Sequence, residues 1–210
     1  MHRIMKHKLI AMMPSCQNGL AGRALDPAKG TMMLLRPCEA GDVPAITAIY
    51  AREVEHGTAS FELTPPDEAE MRSRRDALVS GGYPYLVAET EGGRIAGYAY
   101  AGIYRARPAY RSTLENSVYV GEGFRRRGVG LRLLAALVAA AEERGFRQMI
   151  AVIGDSANRP SIRLHEEAGF APIGTLRSVG WKHGRWLDSV LMQRSLGTGD
   201  GTASDPAPLA

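Results

Sequence analysis

Residues 118–131 read Val-Tyr-Val-Gly-Glu-Gly-Phe-Arg-Arg-Arg-Gly-Val-Gly-Leu, which predicts a strand end, a basic glycine loop and a helix start. The strand ends over residues 117–120, and a helix-forming run covers residues 131–144. Glycine lets the backbone approach an anion closely because it has no Cβ. The first amides of a helix lack intrahelical acceptors, and the helix dipole adds partial positive charge there. The stretch therefore predicts a phosphate-binding site.

A basic turn with Gly-x-Gly can also be only a tight loop, because a lone short glycine motif is weakly specific. Two better-known phosphate loops are excluded. The sequence has no Gly-Lys-Ser/Thr, so it is not a Walker loop, and Leu133 stands where the third glycine of a dinucleotide fingerprint belongs.

A second motif follows about thirty residues later. Residues 158–170 read Asn-Arg-Pro-Ser-Ile-Arg-Leu-His-Glu-Glu-Ala-Gly-Phe, an asparagine before a helix that ends in Gly-Phe. This stretch resembles the second signature of the GNAT acyltransferases, and Arg-x-x-Gly-x-Gly after a Val-rich strand resembles their acetyl-CoA signature. Two motifs in this order and spacing are far more specific than either one alone.

Composition predicts one globular domain with tails, since 45% of the 210 residues are hydrophobic and 23% are charged. The net charge of +4 is concentrated in residues 125–127 and in the first thirty residues, which fits a local phosphate site and not a nucleic-acid face. Two cysteines, Cys16 and Cys38, give no disulfide framework or metal spacing and fit a reducing cytoplasm. No apolar run is long enough for a membrane span.

The ends of the chain differ in composition from its centre. Residues 1–31 predict a disordered extension; a signal peptide is the alternative, but its apolar core is short and is interrupted by Pro14. We expect the working domain over residues 32–196. Residues 197–210 are rich in Gly, Thr, Ser, Asp and Pro and predict a disordered tail.

Periodicity and turn signals predict an α/β fold with a mixed central sheet flanked by helices. The strands are expected at residues 33–36, 85–89, 95–104, 114–120, 148–154, 171–177 and 187–194, the helices at 43–55, 68–80, 131–144 and 161–168, and a loop at 180–186. This order is also that of the GNAT acyl-CoA N-acyltransferase fold.

A narrower resemblance covers roughly residues 34–194. Several stretches together resemble the phosphinothricin and methionine sulfoximine (methionine sulfone) N-acetyltransferases: residues 58–61, 82–84, 97–102, 107–110, 113–120 and 181–188. The resemblance implies an acetyl-CoA-dependent enzyme, a small amino acid analogue as acceptor and a homodimer. Detoxification of an antibiotic or herbicide, or amino acid metabolism, is the implied setting.

Glu115 stands where this group places its general base. An α-ammonium must lose a proton before its nitrogen can attack a thioester, and a nearby carboxylate can accept that proton directly or through water. Partial burial would raise the pKa of the carboxyl and suit it to this task. The alternative is that Glu115 forms a structural salt bridge.

The resemblance also implies the residues that hold acetyl-CoA. The backbone of Val118, Tyr119 and Val120 would pair with the pantetheine and donate to the oxyanion, as an added strand does. The amide of Asn158 would face the pantetheine. The pyrophosphate and ribose phosphate would lie on the glycine loop: Arg125, Arg126, Arg127, Gly128, Val129, Gly130 and Leu131.

His165 occupies the position where many GNAT enzymes carry a tyrosine that protonates the departing thiolate. It is either that proton donor or a neutral hydrogen-bonding group near the sulfur. For the acceptor, the family segments correspond to Arg105, Ala106 and Arg107 and to Glu115, Asn116 and Ser117, with an arginine fork suited to an α-carboxylate.

Other side chains keep two interpretations. Phe61 and Tyr110 wall the acceptor pocket or are ordinary core aromatics. The Trp181, Lys182, His183 and Trp186 stretch reaches an acceptor site or packs a dimer. Two alternative functions also stay open: acetylation of a peptide or protein α-amine or another small amine, and a CoA-binding module without turnover. No metal is predicted.

Overall fold

The computed structural model describes residues 22–25 and 32–204, in which eight strands form one sheet with four α-helices. In chain order these elements are β1 Gly22–Leu25, β2 Met32–Pro37, α1 Val43–His56, α2 Glu68–Ser80, β3 Tyr85–Thr90, β4 Ile95–Ile103, β5 Thr113–Val120, α3 Val129–Glu143, β6 Gln148–Gly154, α4 Arg159–Glu167, β7 Ala171–Lys182 and β8 Arg185–Ser195. The predicted α/β class, with a mixed sheet flanked by helices, is confirmed.

Both predicted tails contain some described residues. β1 lies within the predicted extension and pairs antiparallel with β2. Residues 197–204 form turns, and the Arg147 guanidinium donates to the carbonyl oxygen of Ala203 at 3.0 Å. The rest of both tails lies outside the described residues, so the division into an extension, a domain over residues 32–196 and a tail stays a prediction.

The predicted loop over residues 180–186 is wrong. β7 extends to Lys182 and β8 begins at Arg185, so only His183 and Gly184 form the turn. Both have positive φ, 50° and 72°, which is the geometry that matches the twist of a two-residue hairpin. The aromatic and charged side chains of this stretch are therefore held on paired strands.

The strand order is β1-β2-β3-β4-β5-β6-β8-β7, and β5 pairs with β6 in parallel while every other pair is antiparallel. The β5–β6 pairing stops at Asn116↔Ala151. Beyond that rung β5 stays paired with β4 to Val120, and β6 stays paired with β8 to Gly154. The two strands therefore diverge and open a cleft in the middle of the sheet.

Alternation along β5 sends its side chains to two different layers. Val118 and Val120 pack against the core formed with α3, whereas Tyr119 packs against the core formed with α1. α3 buries Leu133, Leu134 and Leu137 completely on the first side. The cleft is thus flanked by α3 and α4 on one face of the sheet and by α1 and α2 on the other.

Candidate active site

A small cavity of about 50 Å³ lies in the cleft where β5 leaves β6. β5 lines it with residues 116–119, β6 with residues 151–154, α4 with Ser161 and His165, and the segment after α1 with Ala59. The structure therefore brings together predicted site residues from two distant motifs. Because β5 has lost its β6 partner here, backbone N–H and C=O groups on that edge are free to pair with an extended ligand.

The glycine loop, residues 125–130, leads into the start of α3. Gly128 is the N-cap of α3 with φ 74°, and no side chain caps the helix. The first helical bond runs from the Arg132 N–H to the Gly128 oxygen at 3.1 Å, so the amides before it have no intrahelical acceptor. A Cβ on Gly128 would meet nothing within 4 Å, so the approach to these amides is open. This arrangement fits a diphosphate.

The three arginines of the loop have different surroundings. Arg125 donates to the Val120 oxygen at 3.4 Å and pairs with Glu53 at 3.2 Å. Arg127 lies over the Phe124 ring, 5.9 Å from its centroid. Arg126 is exposed and has φ 60°, an uncommon value for a residue with a Cβ. The loop therefore carries three arginine side chains on a backbone of defined conformation, and these side chains give it positive charge.

The end of β6 is fixed by polar groups, some of which sequence reasoning missed. Asn158 caps α4 by accepting from the Ser161 N–H at 3.3 Å. Asp155 has φ 71°, accepts from the Ala157 N–H at 2.9 Å and pairs with Arg185. Arg185 holds the pKa of the Asp155 carboxyl below its usual range. An acidic residue directly after an apolar strand was the available signal for Asp155.

Glu115 is half-buried on β5, and no hydrogen bond or ion pair to its carboxylate occurs among the described residues. Burial raises the pKa of this carboxyl above its ordinary value. The salt-bridge alternative thus finds no partner within residues 33–204. A carboxylate of this kind is a stronger proton acceptor than an exposed one.

His165 is buried, and both of its ring nitrogens face oxygen atoms. Nδ1 lies 2.8 Å from the Ser161 oxygen, and Nε2 lies 3.0 Å from Asn116 Oδ1. The Asn116 amide is oriented by donation from Nδ2 to the Ile150 oxygen at 3.1 Å. A neutral imidazole carries only one N–H, so it can donate to one of these oxygens at a time. Burial lowers the pKa of His165, which opposes the doubly protonated form.

The two predicted catalytic side chains lie on opposite faces of β5. Asn116 reaches His165 on the α4 side. Its neighbour Glu115 points to the other face, where it is next to Gly102, whose Cβ position is 2.9 Å from Leu78 of α2. Glu115 and His165 therefore approach β5 from its two faces, and of the two only His165 is among the residues that line the cavity.

The predicted acceptor residues between β4 and β5 do not line the cavity. Arg105, Ala106 and Arg107 are exposed. Arg105 stacks over the rings of Tyr104 and Tyr110, with centroid distances of 5.1 and 5.8 Å. Tyr110 therefore packs against this arginine and Tyr104, and the cavity wall is formed by other residues.

The segment after α1 is closer to the cleft than its sequence indicated. Residues 57–62 contribute Ala59 to the cavity. Lys182 of β7 is only 4% exposed, and its Nζ donates to the Ser60 oxygen at 2.7 Å. Burial lowers the pKa of this ammonium. Within residues 181–186, Lys182 is therefore buried against the segment after α1, whereas Trp181 and Trp186 are exposed.

Two further properties concern the described residues as a whole. No group of three or more His, Cys, Asp or Glu side chains in residues 22–25 and 32–204 is arranged to hold a metal ion. Within the same residues no helix combines the length and apolar character that crossing a lipid bilayer needs.

Comparison with known proteins gives one consistent family. The profile of the acetyltransferase (GNAT) family matches residues 46–170. A phosphinothricin N-acetyltransferase of Alcaligenes faecalis is 55% identical over 161 residues, covering 77% of this chain and 81% of the relative. An L-methionine sulfoximine/L-methionine sulfone acetyltransferase of Pseudomonas paraeruginosa is 41% identical over 172 residues, covering 82% and 98%.

A solved structure agrees in fold. A GNAT superfamily phosphinothricin acetyltransferase from Sinorhizobium meliloti, in complex with AcCoA, superposes with a TM-score of 0.80 at 46% identity. The superposition covers 82% of this chain and 93% of that one. The resemblance inferred from the two motifs is confirmed.

Proposed function

Because the chain belongs to the acetyltransferase (GNAT) family, we propose that it transfers the acetyl group of acetyl-CoA to the α-amine of a small amino acid analogue. Phosphinothricin, methionine sulfoximine and methionine sulfone are the acceptor types, in line with the names of its relatives. The observation that carries the proposal is Glu115, a half-buried carboxylate on the strand that forms the cleft, with no counter-ion in the part of the chain that the structure describes.

In the proposed reaction Glu115 removes one proton from the α-ammonium, directly or through water. The nitrogen lone pair then forms a bond to the thioester carbonyl carbon, and the carbon–sulfur bond breaks as the tetrahedral intermediate collapses. The nitrogen gives up a second proton, which the departing thiolate takes up directly or through water, and Glu115 releases the first proton to solvent. The products are an N-acetyl amino acid and CoA. A backbone N–H of residues 118–120 is the proposed donor to the oxyanion, because it is fixed before the charge develops.

Acetyl-CoA is consumed in each turnover, so it is a second substrate. We assign its diphosphate to the amides of residues 126–131, its ribose phosphate to the side chains of Arg125, Arg126 and Arg127, and its pantetheine to the free edge of residues 118–120. The start of α3 supports this assignment, because no side chain caps it and its first backbone N–H groups can donate to a bound anion. Asn158 is the proposed further contact at the pantetheine.

We assign to His165 a hydrogen-bonding role beside the departing sulfur. Its contacts to Ser161 and Asn116 support this assignment, because direct protonation of the thiolate would require the ring to give up one of them. Asn116 and Ser117 are the proposed acceptor contacts next to Glu115.

Arg105 and Arg107 are the proposed partners of the acceptor α-carboxylate, with Ala106 between them, since a guanidinium matches a carboxylate with two parallel bonds. A peptide N-terminus carries no carboxylate next to its amine. Acceptance of free amino acids and rejection of peptides is therefore the expected selectivity.

The test is thiol release from acetyl-CoA with phosphinothricin, methionine sulfoximine, methionine sulfone and methionine, alongside a panel of N-terminal peptides. We expect turnover with amino acid analogues only. Turnover with peptides alone would contradict the acceptor class. CoA binding without any turnover would favour a binding module.

We propose further that two copies associate through β7. This edge strand is exposed over residues 171–179, and Ile173, Leu176 and Val179 are each at least half exposed, as are Trp181 and Trp186 beside them. Long exposed apolar edges are places where sheets associate. Light scattering should give a dimer mass for the wild type and a lower mass for Leu176→Lys; a monomeric wild type would contradict the proposal.

A cytoplasmic setting is also proposed, with a role in resistance to such amino acid analogues. Cys38 supports a reducing compartment because it is a buried free thiol whose pKa is raised to about 11 by burial. Growth protection by phosphinothricin or methionine sulfoximine acetylation in a sensitive host is the corresponding measurement.

A further inference from the structure

We propose that Lys182 is a positioning residue for the acceptor: its ammonium holds residues 57–62 in place as one wall of the acceptor site. This inference rests on the proposed function for its catalytic readout, but it also makes a prediction about the segment itself. Lys182 lies 122 positions from Ser60 in sequence and meets it through a buried hydrogen bond of 2.7 Å.

Residues 57–62 have little regular structure of their own and are held by contacts from other elements. The Glu53 carboxylate accepts from the Ala59 N–H at 3.1 Å, and the Tyr50 hydroxyl lies 2.9 Å from Ser60 Oγ. Ser60 Oγ also accepts from the Glu62 N–H at 3.2 Å. Two side chains of the β7–β8 hairpin reach the segment: the buried Lys182 ammonium donates to the Ser60 oxygen, and the exposed His183 has its Nε2 3.1 Å from the Gly57 oxygen.

The segment is pressed directly against the end of β6. A Cβ on Gly154 would lie 2.3 Å from the Thr58 oxygen and 2.9 Å from the Phe61 ring. A Cβ on Gly180 of β7 would lie 2.5 Å from the same ring. Both glycines are needed for this close approach, and Gly154 and Ala59 line the cavity together. A shift of the segment would therefore change the shape of the cavity wall.

Burying an ammonium is costly unless it is hydrogen-bonded. Lys182 is 4% exposed, and Glu53 and Glu62 are the carboxylates whose charges act on it. Glu53 lies before the segment of residues 57–62 in sequence, and Glu62 is its last residue. Glu53 belongs to α1, whereas Glu62 and the Ser60 oxygen belong to the segment, so docking of residues 57–62 completes the set of partners of the buried ammonium.

The test compares Lys182→Met, which keeps the length of the side chain but removes its donors, with the wild type. We expect the KM of the amino acid acceptor to rise about ten- to a hundredfold, the range for a lost charged hydrogen bond. The KM of acetyl-CoA and kcat should change little. Tyr50→Phe removes the hydroxyl that bonds to Ser60 and interacts with Glu62 and Tyr119, and it should shift the acceptor KM in the same direction by a smaller factor.

Arg144→Met is the matched control. Arg144 also donates to backbone oxygens, those of Ala140 at 2.7 Å and Gly82 at 3.1 Å, but it lies at the end of α3 away from the glycine loop. Its loss should lower the melting temperature without changing the acceptor KM. A purely structural role for Lys182 would give the same result as this control.

Amide hydrogen exchange over residues 57–62 separates this inference from the proposed function. We expect faster exchange there in Lys182→Met and Tyr50→Phe, and wild-type exchange in Arg144→Met. If the wild type acetylates no amino acid, the proposed function fails, and the exchange data still decide whether Lys182 holds the segment. An unchanged acceptor KM or unchanged exchange in a folded Lys182→Met protein would overturn the inference.

Discussion

The two sides of the cleft are built in different ways. The proposed cofactor side is one continuous stretch, from β5 through the glycine loop into α3, and it offers mainly backbone groups. The proposed acceptor side draws on separate segments: residues 57–62 and the hairpin that carries Lys182, which meet in the structure, and Glu115 and residues 105–107, which do not line the cavity. Its contacts are made by side chains that meet over long distances in sequence.

This difference has a physical consequence for specificity. Backbone amides bind a diphosphate whatever the neighbouring side chains are, so substitutions elsewhere in the chain should have little effect on cofactor binding. Side-chain contacts at the acceptor site are each worth about 1–3 kcal/mol and can be exchanged one at a time. We therefore expect substitutions on the acceptor side to change mainly the KM of the acceptor. Substitutions on the cofactor side should change mainly the KM of acetyl-CoA.

The largest effect is expected for Glu115→Gln. Loss of a general base lowers kcat/KM for the acceptor by about 10²- to 10⁴-fold, whereas the affinity for CoA should not change. Thiol release and calorimetric titration of CoA measure the two quantities. Glu143→Gln is the control, since Glu143 is an exposed carboxylate at the end of α3; equal activity of the two variants would remove Glu115 as the base.

The next effect is expected for Arg105→Met and Arg107→Met. Each loses a charged hydrogen bond to the acceptor carboxylate, so its acceptor KM should rise about ten- to a hundredfold. Initial rates with methionine sulfone and with its amide, which lacks the carboxylate, measure the effect. The amide should be insensitive to both changes. Arg111→Met, an exposed arginine of the same segment, serves as control.

A smaller effect is expected on the cofactor side for Gly128→Ala. A left-handed conformation costs a residue with a Cβ about 1–2 kcal/mol, so the KM of acetyl-CoA should rise about five- to thirtyfold. The acceptor KM should stay as in the wild type. Gly123→Ala is matched to it, because its Cβ would meet nothing within 4 Å and its φ is not positive. A shift in the acceptor KM alone would contradict the division of the cleft.

The smallest effect concerns stability. Burial raises the pKa of Glu115 in the folded state, so the folded protein binds more protons than the unfolded chain above the ordinary value of 4.5. Wild-type stability is therefore lowered as pH rises through the folded pKa. At neutral pH the melting temperature of Glu115→Gln should be higher than that of the wild type, by about 2–4 °C for each kcal/mol of folding free energy gained when the buried charge is removed. The difference in melting temperature should vanish at pH values below 4.5.

The strand–loop–helix structure of the proposed cofactor side was predictable because its signals are local. The strand before residues 125–130 and the helix after them follow from periodicity, and the glycines and arginines between them predict a phosphate loop. The strand over residues 148–154 and the helix over residues 68–80 were predicted with the bounds that the structure has. In this strand and this helix, residues close in sequence determine the backbone conformation.

The acceptor side was less predictable because distant residues decide it. Nothing near Ser60 indicates that Lys182 will bond to it, and nothing near Asp155 indicates Arg185. The hairpin at His183 and Gly184 was mistaken for a longer loop, because a histidine in a left-handed conformation gives no turn signal of its own. The resemblance supplied Glu115, and only the fold could show that the described residues form no ion pair with its carboxylate.

The pH dependence of kcat/KM for the acceptor tests the central assignment most directly, because burial raises the pKa of Glu115. The wild type should lose activity as the pH falls, with a midpoint above the ordinary carboxyl value of 4.5. The residual activity of Glu115→Gln should lack this acid limb. An identical acid limb in both proteins would mean that another group accepts the proton, and the assignment of Glu115 would be wrong.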